Sequence, residues 1–320
     1  MKRVLVVRLG AMGDIVQTLP AAASLKHSMP HSELTWIVES KWRALLEGNP
    51  YVDRVIDFDR GTMAGIRKAW TELRRERFDL AVDFQGLIKS ALVSACARPE
   101  RLYGFDSKCV REKPAAWFYS RRVHSDAVHR VDKYLDLALA AGVTNPLKVF
   151  PLPQGRPEGN LPTGDFVLAC PQAGWAAKQW PLEHYSALGA RLKRECGMPL
   201  VLNGRDEIHA DQTEPHASGI AGLIDATRRA TAVVGVDSGP LHIAAALGKP
   251  GVAIYGLTDP AATGPYGQSI AVLRTEGAAT TYKRHSEIDQ SMRDVTPDMV
   301  FSRLRAILER QRVGAASQVD

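Results

Sequence analysis

Short apolar runs rich in β-branched residues alternate with helical stretches along the whole chain, and this alternation limits the possible folds more than any other feature. Strands that are separated by helices pair in parallel, because each helical connection returns the chain to the same end of the sheet. The alternation therefore predicts an α/β protein built from βαβ units. Nine runs fit buried strands: RVLVVRL, ELTWIVE, VDRVIDF and DLAVDFQG in the first half, and FVLACPQ, PLVLNG, AVVGVD, GVAIYG and IAVLR in the second.

A Pro- and Gly-rich stretch separates the two groups of strands. It reads VFPLPQGRPEGNLPTGD, covers residues 149–165 and has little apolar pattern, as is typical of a linker. The chain of 320 residues is long enough for two α/β domains of ordinary size. We therefore expect one domain over residues 1–150 and a second over residues 151–320. Ligands of open parallel sheets bind at the carboxyl ends of the strands, so the loops that follow strands should carry the function.

The chain ends in a predicted helix. The stretch TPDMVFSRLRAILERQR offers Thr296 as N-cap, Pro297 in the first turn and apolar residues at helical spacing. We expect this helix to close the second domain, and an arrangement in which it packs back on the first domain stays open.

Positive charge is concentrated in the first half of the chain. Residues 1–150 hold 24 Lys and Arg against 17 Asp and Glu, whereas residues 151–320 hold 17 against 18. This asymmetry predicts an anionic partner for the first half, although an ordinary solvated surface explains it equally well. No helix-turn-helix, zinc-finger or RNA-stacking motif accompanies the charge, so we expect no nucleic-acid partner.

The cysteines and the apolar segments indicate in which cellular compartment the protein works. The four cysteines form no CxxC pair and show no metal-ligand spacing, which is typical of reduced thiols in the cytosol. The apolar run near the N-terminus is short and is broken by Arg8, which favours a first strand over a secretory segment. No other apolar segment approaches membrane-spanning length. We therefore expect a cytoplasmic protein that could still touch a membrane surface.

The loop GAMGD follows the first predicted strand. Its glycines, Gly10 and Gly13, lack the leading glycine of the GxGxxG dinucleotide fingerprint, which disfavours a nicotinamide-dependent dehydrogenase. Asp14 stands where a phosphate would otherwise bind, and a helix dipole stabilises a carboxylate there. Two roles for Asp14 remain open: a helix N-cap and a general base.

The stretch VVGVDSGPLHIAAALG leads from a strand into a helix. Ser238 and Gly239 leave backbone N–H groups free at the helix N-terminus, a geometry that suits a diphosphate. Asp237 could bind sugar hydroxyls or cap the helix, and His242 could bind a ligand or pack in the core.

Two further loops contain charged candidates. Lys178, in PQAGWAAKQWPLEHYSAL, could neutralise a diphosphate leaving group or be a solvated surface lysine. Glu207 follows Asp206 in LNGRDE, where a carboxylate could bind ribose hydroxyls.

Taken together, these loops resemble those of the bacterial ADP-heptose:lipopolysaccharide heptosyltransferases, most closely the members that add the first heptose. The resemblance covers nearly the whole chain. It implies a GT-B fold, with two Rossmann-like domains that face each other across a cleft, and an inverting reaction without a metal or other cofactor. It rests on AMGDIVQTLPAA, DFQGLIKSALVS, KQWPLEHYSAL, VGVDSGPLHIAAALGKP and YGLTDPAATGPYG.

The resemblance also implies residue roles. Asp14 matches the catalytic base, Lys178 the diphosphate-binding lysine and Glu207 the ribose-binding acid. The donor-binding DxGxxH motif is matched by Asp237, Gly239 and His242, with Ser238 where Thr is usual.

The implied substrates are ADP-heptose and, at the inner leaflet of the inner membrane, Kdo-lipid A. The sugar would pass to Kdo; a different core position, or a sugar-nucleotide epimerase of the same fold, remains an alternative. In the first domain, basic residues next to the aromatic run WFY suit an anionic interface, although packing and solvation explain each residue equally well. The candidate acceptor-binding residues are Arg8, Gly13, Arg67, Lys68, Gln85, Lys89, Arg121 and Arg122.

Overall fold

The computed structural model describes residues 1–281 and 286–316. The chain divides into two compact units, Met1–Pro153 and Gln154–Asp320, and the division falls inside the Pro- and Gly-rich stretch. Within the described ranges, no helix is both long enough and apolar enough to cross a membrane.

The first unit is a six-stranded sheet in which all neighbouring strands pair in parallel, in the order β3-β2-β1-β4-β5-β6. α1 packs against α4, whereas α2 packs against α3, and α3 packs against a 3-10 turn at Lys113–Phe118. The strands are β1 (Arg3–Val7), β2 (Glu33–Glu39), β3 (Arg54–Phe58), β4 (Leu80–Asp83), β5 (Arg101–Phe105) and β6 (Arg121–Val123); the helices are α1 (Met12–Ser28), α2 (Met63–Arg74), α3 (Ile88–Cys96) and α4 (Arg130–Ala140).

The second unit repeats this topology, with the order β12-β11-β10-β7-β8-β9 and parallel pairing throughout. Counted from its own first strand, each sheet has the order 3-2-1-4-5-6 of a doubly wound Rossmann fold. The strands are β7 (Val167–Cys170), β8 (Leu200–Gly204), β9 (Glu214–Ala217), β10 (Ala232–Val236), β11 (Gly251–Tyr255) and β12 (Ile270–Arg274); the helices are α5 (Leu182–Cys196), α6 (Ile220–Arg229), α7 (Gly239–Ala246), α8 (Pro260–Thr263), α9 (Gln290–Arg293) and α10 (Pro297–Ala316).

The predicted α/β class and all nine predicted strands are confirmed. The apolar pattern missed β5, β6 and β9. Two of these are edge strands, where few side chains are buried: β6 reads RRV, and β9 carries a proline that the edge tolerates. The third, β5, is interrupted by Gly104.

The closing helix α10 begins as predicted, because Thr296 Oγ1 accepts a hydrogen bond from the Met299 backbone N–H at 3.3 Å. The helix packs against α5 and β11. Phe301, Leu304 and Leu308 are buried in the core of the second unit.

Strand order changes direction at one point in each sheet, between β1 and β4 and between β7 and β10. At such a point, the loops that follow the two neighbouring strands turn away from each other. A crevice opens between these loops at the carboxyl edge of the sheet. Asp14 and Gln85 follow β1 and β4, and Lys178 and Asp237 follow β7 and β10. The topology therefore places four predicted site residues beside the two crevices.

Candidate active site

Asp14 lies in the first turn of α1 and is held by two arginines. Its Oδ2 is 2.5 Å from Nη2 of Arg8, and its Oδ1 accepts a hydrogen bond from Nη1 of Arg130. The backbone N–H of Ala11 also donates to Oδ2, at 3.4 Å. The N-cap of α1 is Ala11, so the predicted N-cap role of Asp14 is wrong. Asp14 is the third residue of the helix and contributes to capping only through the Ala11 N–H, while most of its contacts are with cations.

The two arginines determine the charge state of Asp14. Burial by itself would raise the pKa of this carboxyl, but the positive charges of Arg8, Arg130 and, more weakly, Arg111 hold the pKa well below its usual range. Asp14 is consequently a carboxylate throughout the physiological pH range.

Arg8 is almost completely buried, with 2% of its side chain exposed. Its Nη1 donates to the backbone carbonyl of Phe84 at 2.7 Å, and its guanidinium lies 5.6 Å from the centroid of the Tyr134 ring. The predicted acceptor-binding residue Arg8 is thus a buried partner that contacts Asp14 directly. Gly13, the other candidate in this turn, is also buried.

Gln85 joins the loops that follow β1 and β4, because its Oε1 accepts a hydrogen bond from the backbone N–H of Leu9 at 2.8 Å. Asp83 fixes the turn that presents Gln85. Its carboxylate accepts hydrogen bonds from the Gln85 backbone N–H at 2.9 Å and from the hydroxyls of Ser90 and Tyr119, both at 2.8 Å. Burial nonetheless raises the pKa of Asp83.

Lys89 belongs to a group of cations around Glu39, which is buried at the end of β2. Glu39 Oε1 is 3.1 Å from Arg60 Nε and 4.0 Å from Lys89 Nζ, and Glu39 Oε2 is 3.3 Å from Lys41 Nζ. The backbone N–H of Glu39 donates to Leu9 O at 3.0 Å, so this group adjoins the loop that leads to Asp14.

The remaining basic candidates lie on the surface of the first unit. Arg67 and Lys68 are exposed on α2. Arg121 and Arg122 are exposed on edge strand β6, where Arg122 Nε donates to the backbone carbonyl of Ala116 at 2.9 Å. The structure does not bring these four residues into contact with Asp14.

In the second unit, Lys178 and Asp237 form a mostly buried ion pair. Lys178 Nζ donates to Asp237 Oδ2 at 2.9 Å and to the Asp237 backbone carbonyl at 2.8 Å. Thr258 Oγ1 donates to the same Oδ2 at 2.9 Å, and Lys178 Nζ lies 4.9 Å from the centroid of the Trp175 ring. Lys178 is therefore not the solvated surface lysine of the alternative interpretation.

The N-terminus of α7 adjoins this ion pair. Its N-cap is Ser238 and not Asp237, and the Ser238 hydroxyl makes no capping bond. That hydroxyl oxygen is buried and has no hydrogen-bond partner among the described residues. A buried hydroxyl beside the free N–H groups of a helix N-terminus suits an anionic group of a ligand. His242 is buried one turn further along the helix.

Glu207 lies apart from the Lys178–Asp237 pair. It is exposed in the loop that follows β8, and its Oε2 is 3.3 Å from Nε2 of His209. The loop leaves the carboxyl edge of the sheet, as the prediction of a ribose-binding acid requires.

Sequence reasoning missed several contributors to the two sites. Arg130 is 116 residues from Asp14 and follows no recognisable motif. Thr258 and Tyr255 donate hydrogen bonds to the Asp237 carboxylate. Both lie in the stretch YGLTDP that contributed to the family resemblance, so the sequence did contain a signal that could have identified them.

Comparison with known proteins identifies the family. A sequence model of glycosyltransferase family 9 (heptosyltransferase) matches residues 66–291. Lipopolysaccharide heptosyltransferase 1 of Escherichia coli K12 is 31% identical over 307 residues, which cover 85% of this chain and 93% of the relative. The chain belongs to glycosyltransferase family 9.

Solved heptosyltransferase structures agree with this family assignment. E. coli heptosyltransferase WaaC with ADP has a TM-score of 0.75 at 25% identity, covering 94% of this chain and 98% of that one. E. coli ADP-heptose lps heptosyltransferase II has a TM-score of 0.77 at 26% identity, covering 98% of this chain and all of that one. The two doubly wound units are thus the Rossmann-like pair of a GT-B glycosyltransferase.

Proposed function

We propose that this family 9 enzyme transfers a heptose from ADP-heptose to the Kdo of Kdo-lipid A, with inversion at the anomeric carbon. The relatives carry the name lipopolysaccharide heptosyltransferase 1, and one solved relative was determined with ADP. The observation that carries the proposal is an ionised carboxylate, Asp14, at the strand-order reversal of the first sheet.

The second unit supplies the donor site in this proposal. The diphosphate would lie at the N-terminus of α7, where it would accept hydrogen bonds from the backbone N–H groups and from the unpartnered hydroxyl of Ser238. Lys178 would contact the diphosphate as well as Asp237, so that the positive charge of the lysine is shared between the ligand and Asp237. These donors stabilise the negative charge that develops as ADP leaves. Glu207 would bind the ribose, and His242 would complete the donor site.

Asp14 would accept the proton of the acceptor hydroxyl. A carboxylate whose pKa is held low is a weak base, so it cannot ionise the free hydroxyl appreciably. As the new C–O bond forms to an oxocarbenium-like carbon, however, the hydroxyl proton becomes strongly acidic, and a weak base then suffices. The arginines keep Asp14 ionised and oriented so that it can accept the proton as the C–O bond forms.

The first unit would bind the acceptor and the membrane surface. Apolar side chains are exposed on α2, on α3 and on the 3-10 turn, which are neighbours in the fold. Met63 is 81% exposed and Trp117 is 77% exposed. Basic residues are also exposed on α2, on α3 and on strand β6, a combination that suits an anionic lipid surface. They are Arg67, Lys68, Lys89, Arg121 and Arg122. We define the apolar patch as Met63, Ile66, Trp70, Ile88, Leu92, Trp117 and Phe118.

A transfer assay tests the proposed function. Purified protein is incubated with ADP-heptose and Kdo-lipid A, and mass spectrometry is used to look for one added heptose. Fragmentation of the product shows whether Kdo carries the sugar. A parallel sample without acceptor reports on the epimerase alternative: an isomerised nucleotide-sugar there, with no lipid product in the full reaction, would overturn the proposal.

A further inference from the structure

Three side chains with metal-ligand chemistry meet at the carboxyl ends of β5 and β6. Asp106 and Cys109 lie in the loop that follows β5, and His124 directly follows β6. One potential ligand atom from each lies within 4.8 Å of the other two. His124 Nδ1 is 2.9 Å from Asp106 Oδ2 and 3.4 Å from Cys109 Sγ. The fold creates this cluster, because its first and last members are 18 residues apart in the sequence and form no recognisable metal motif.

The two distances from His124 are close to the ligand spacing around a small tetrahedral ion. With metal–ligand bonds of about 2.0–2.3 Å, N, O and S ligands around zinc lie roughly 3.3–3.6 Å apart. The two His124 distances are within half an ångström of that spacing. A thiolate combined with an imidazole selects zinc and related transition metals over magnesium or calcium.

The loop also orients the ligands. Asp106 Oδ1 accepts hydrogen bonds from the backbone N–H groups of Lys108 and Cys109, each at 3.0 Å, which leaves Oδ2 directed at the cluster. On the far side of the imidazole, His124 Nε2 is 3.1 Å from Asp126 Oδ1. A proton on Nε2 shared with that carboxylate leaves the lone pair of Nδ1 for a metal, the arrangement that commonly supports histidine ligands.

We propose that Asp106 Oδ2, Cys109 Sγ and His124 Nδ1 form a binding site for a divalent metal ion of the zinc class. Three protein ligands leave the fourth tetrahedral position to a water molecule or to another small donor.

Such an ion would fasten the loop after β5 to the end of β6. The same loop continues through Arg111, whose charge acts on Asp14, to Glu112, whose backbone N–H donates to Gly86 O at 3.0 Å. Occupancy of the site would therefore restrain a segment next to the acceptor-activating residue. This consequence rests on the proposed function, whereas metal binding itself does not.

Metal binding is measured on the full chain after treatment with a chelator and a reductant. Zinc is titrated in competition with a chromophoric chelator, and cobalt(II) is added separately to record its absorption spectrum. We expect one zinc per chain, a thiolate-to-cobalt charge-transfer band and the intense visible bands of tetrahedral cobalt. Asp126→Asn should weaken zinc binding by about tenfold, and Cys109→Ser and His124→Gln should each weaken it by roughly 100-fold or more.

Cys196→Ser is the matched control, because Cys196 is also a free, partly buried thiol but lies outside the cluster. The zinc affinity of the Cys196→Ser protein should equal that of the unmodified chain. Substoichiometric zinc binding, or equal affinity in the Cys109→Ser protein, would overturn the proposal. Should that variant fail to fold, the cobalt spectrum of the unmodified chain decides, since absence of a thiolate band excludes Cys109 as a ligand. These metal-binding measurements do not depend on heptose transfer, so they can be interpreted even when the transfer assay shows no product.

Discussion

Arg8 and Asp14 form an ion pair across the turn between β1 and α1, with Nη2 and Oδ2 2.5 Å apart and only 2% and 13% of the two side chains exposed. The cation directly follows a buried strand, and the anion occupies the first turn of the following helix. Because a buried arginine cannot lose its proton, the carboxylate opposite it stays ionised. The turn GAMGD thereby presents a negative charge where related folds bind a phosphate.

Substitution of Asp14 tests its role as the base. Asp14→Asn should lower kcat by roughly 10²–10⁴-fold, because the amide cannot accept the acceptor proton, while ADP-heptose binding stays unchanged. Turnover is measured with saturating substrates and donor binding by calorimetry. Asp57→Asn, which removes an exposed ion pair with Arg43, is the control and should retain full activity. Near-normal turnover in the Asp14 variant would reduce Asp14 to a cap.

Removal of Arg130 should make Asp14 titrate at higher pH, since one of the two main cations that hold its pKa low is lost. For the unmodified chain, ionised Asp14 contributes stability above about pH 4, and that contribution is lost as the pH falls toward the folded-state pKa. In Arg130→Gln, the acid limb of kcat/KM should move to higher pH. The free energy of unfolding should also decline less steeply below pH 4. Urea unfolding at several pH values and pH–rate profiles check both effects. An unchanged acid limb would show that Asp14 protonation does not limit the reaction.

Lys178 is expected to stabilise the leaving diphosphate. Lys178→Ala should lower kcat by roughly 10²–10³-fold, the usual cost of removing one donor to a developing charge. Lys178→Arg keeps the charge and should retain more activity. Steady-state kinetics with varied ADP-heptose separate kcat from KM. Equal kinetics in the alanine variant and the unmodified chain would reject the role.

Gly104 is required by the close approach of the Tyr119 ring, which a Cβ at this position would meet at 2.3 Å. Gly104→Ala should displace Tyr119 from Asp83 and lower the free energy of unfolding by about 1–3 kcal/mol. Gly174→Ala is the control, since its Cβ would meet no atom within 4 Å. Urea denaturation compares the two variants, and similar stability losses would contradict this account of the packing.

The apolar patch predicts binding to anionic vesicles. The double variant Met63→Ser with Trp117→Ser should weaken association by about tenfold or more, because each large side chain contributes about 1.5–3 kcal/mol when buried. Leu139→Ser changes an apolar residue of α4 that is 42% exposed and lies outside the patch, so it should bind as before. Vesicle co-sedimentation at several salt concentrations measures the effect. An equal loss in the two proteins would argue against a localised membrane surface.

The apolar pattern contained enough information to predict nine strands, the closing helix and the loops that follow strands. Burial on both faces of a parallel strand leaves a continuous apolar run, which is visible in RVLVVRL or AVVGVD. The edge strands β6 and β9 bury fewer side chains and so left no such run.

The sequence by itself determined the α/β class, the family resemblance and the presence of a carboxylate at Asp14 and a lysine at Lys178. Only the tertiary structure decided what these charges contact. Asp14 meets Arg130 across 116 residues, Lys178 meets Asp237 across 59, and Asp83 meets Tyr119 across 36. The physical reason is that such contacts depend on strand order and register, whereas the apolar periodicity along the chain specifies which residues are buried and not which charges become neighbours.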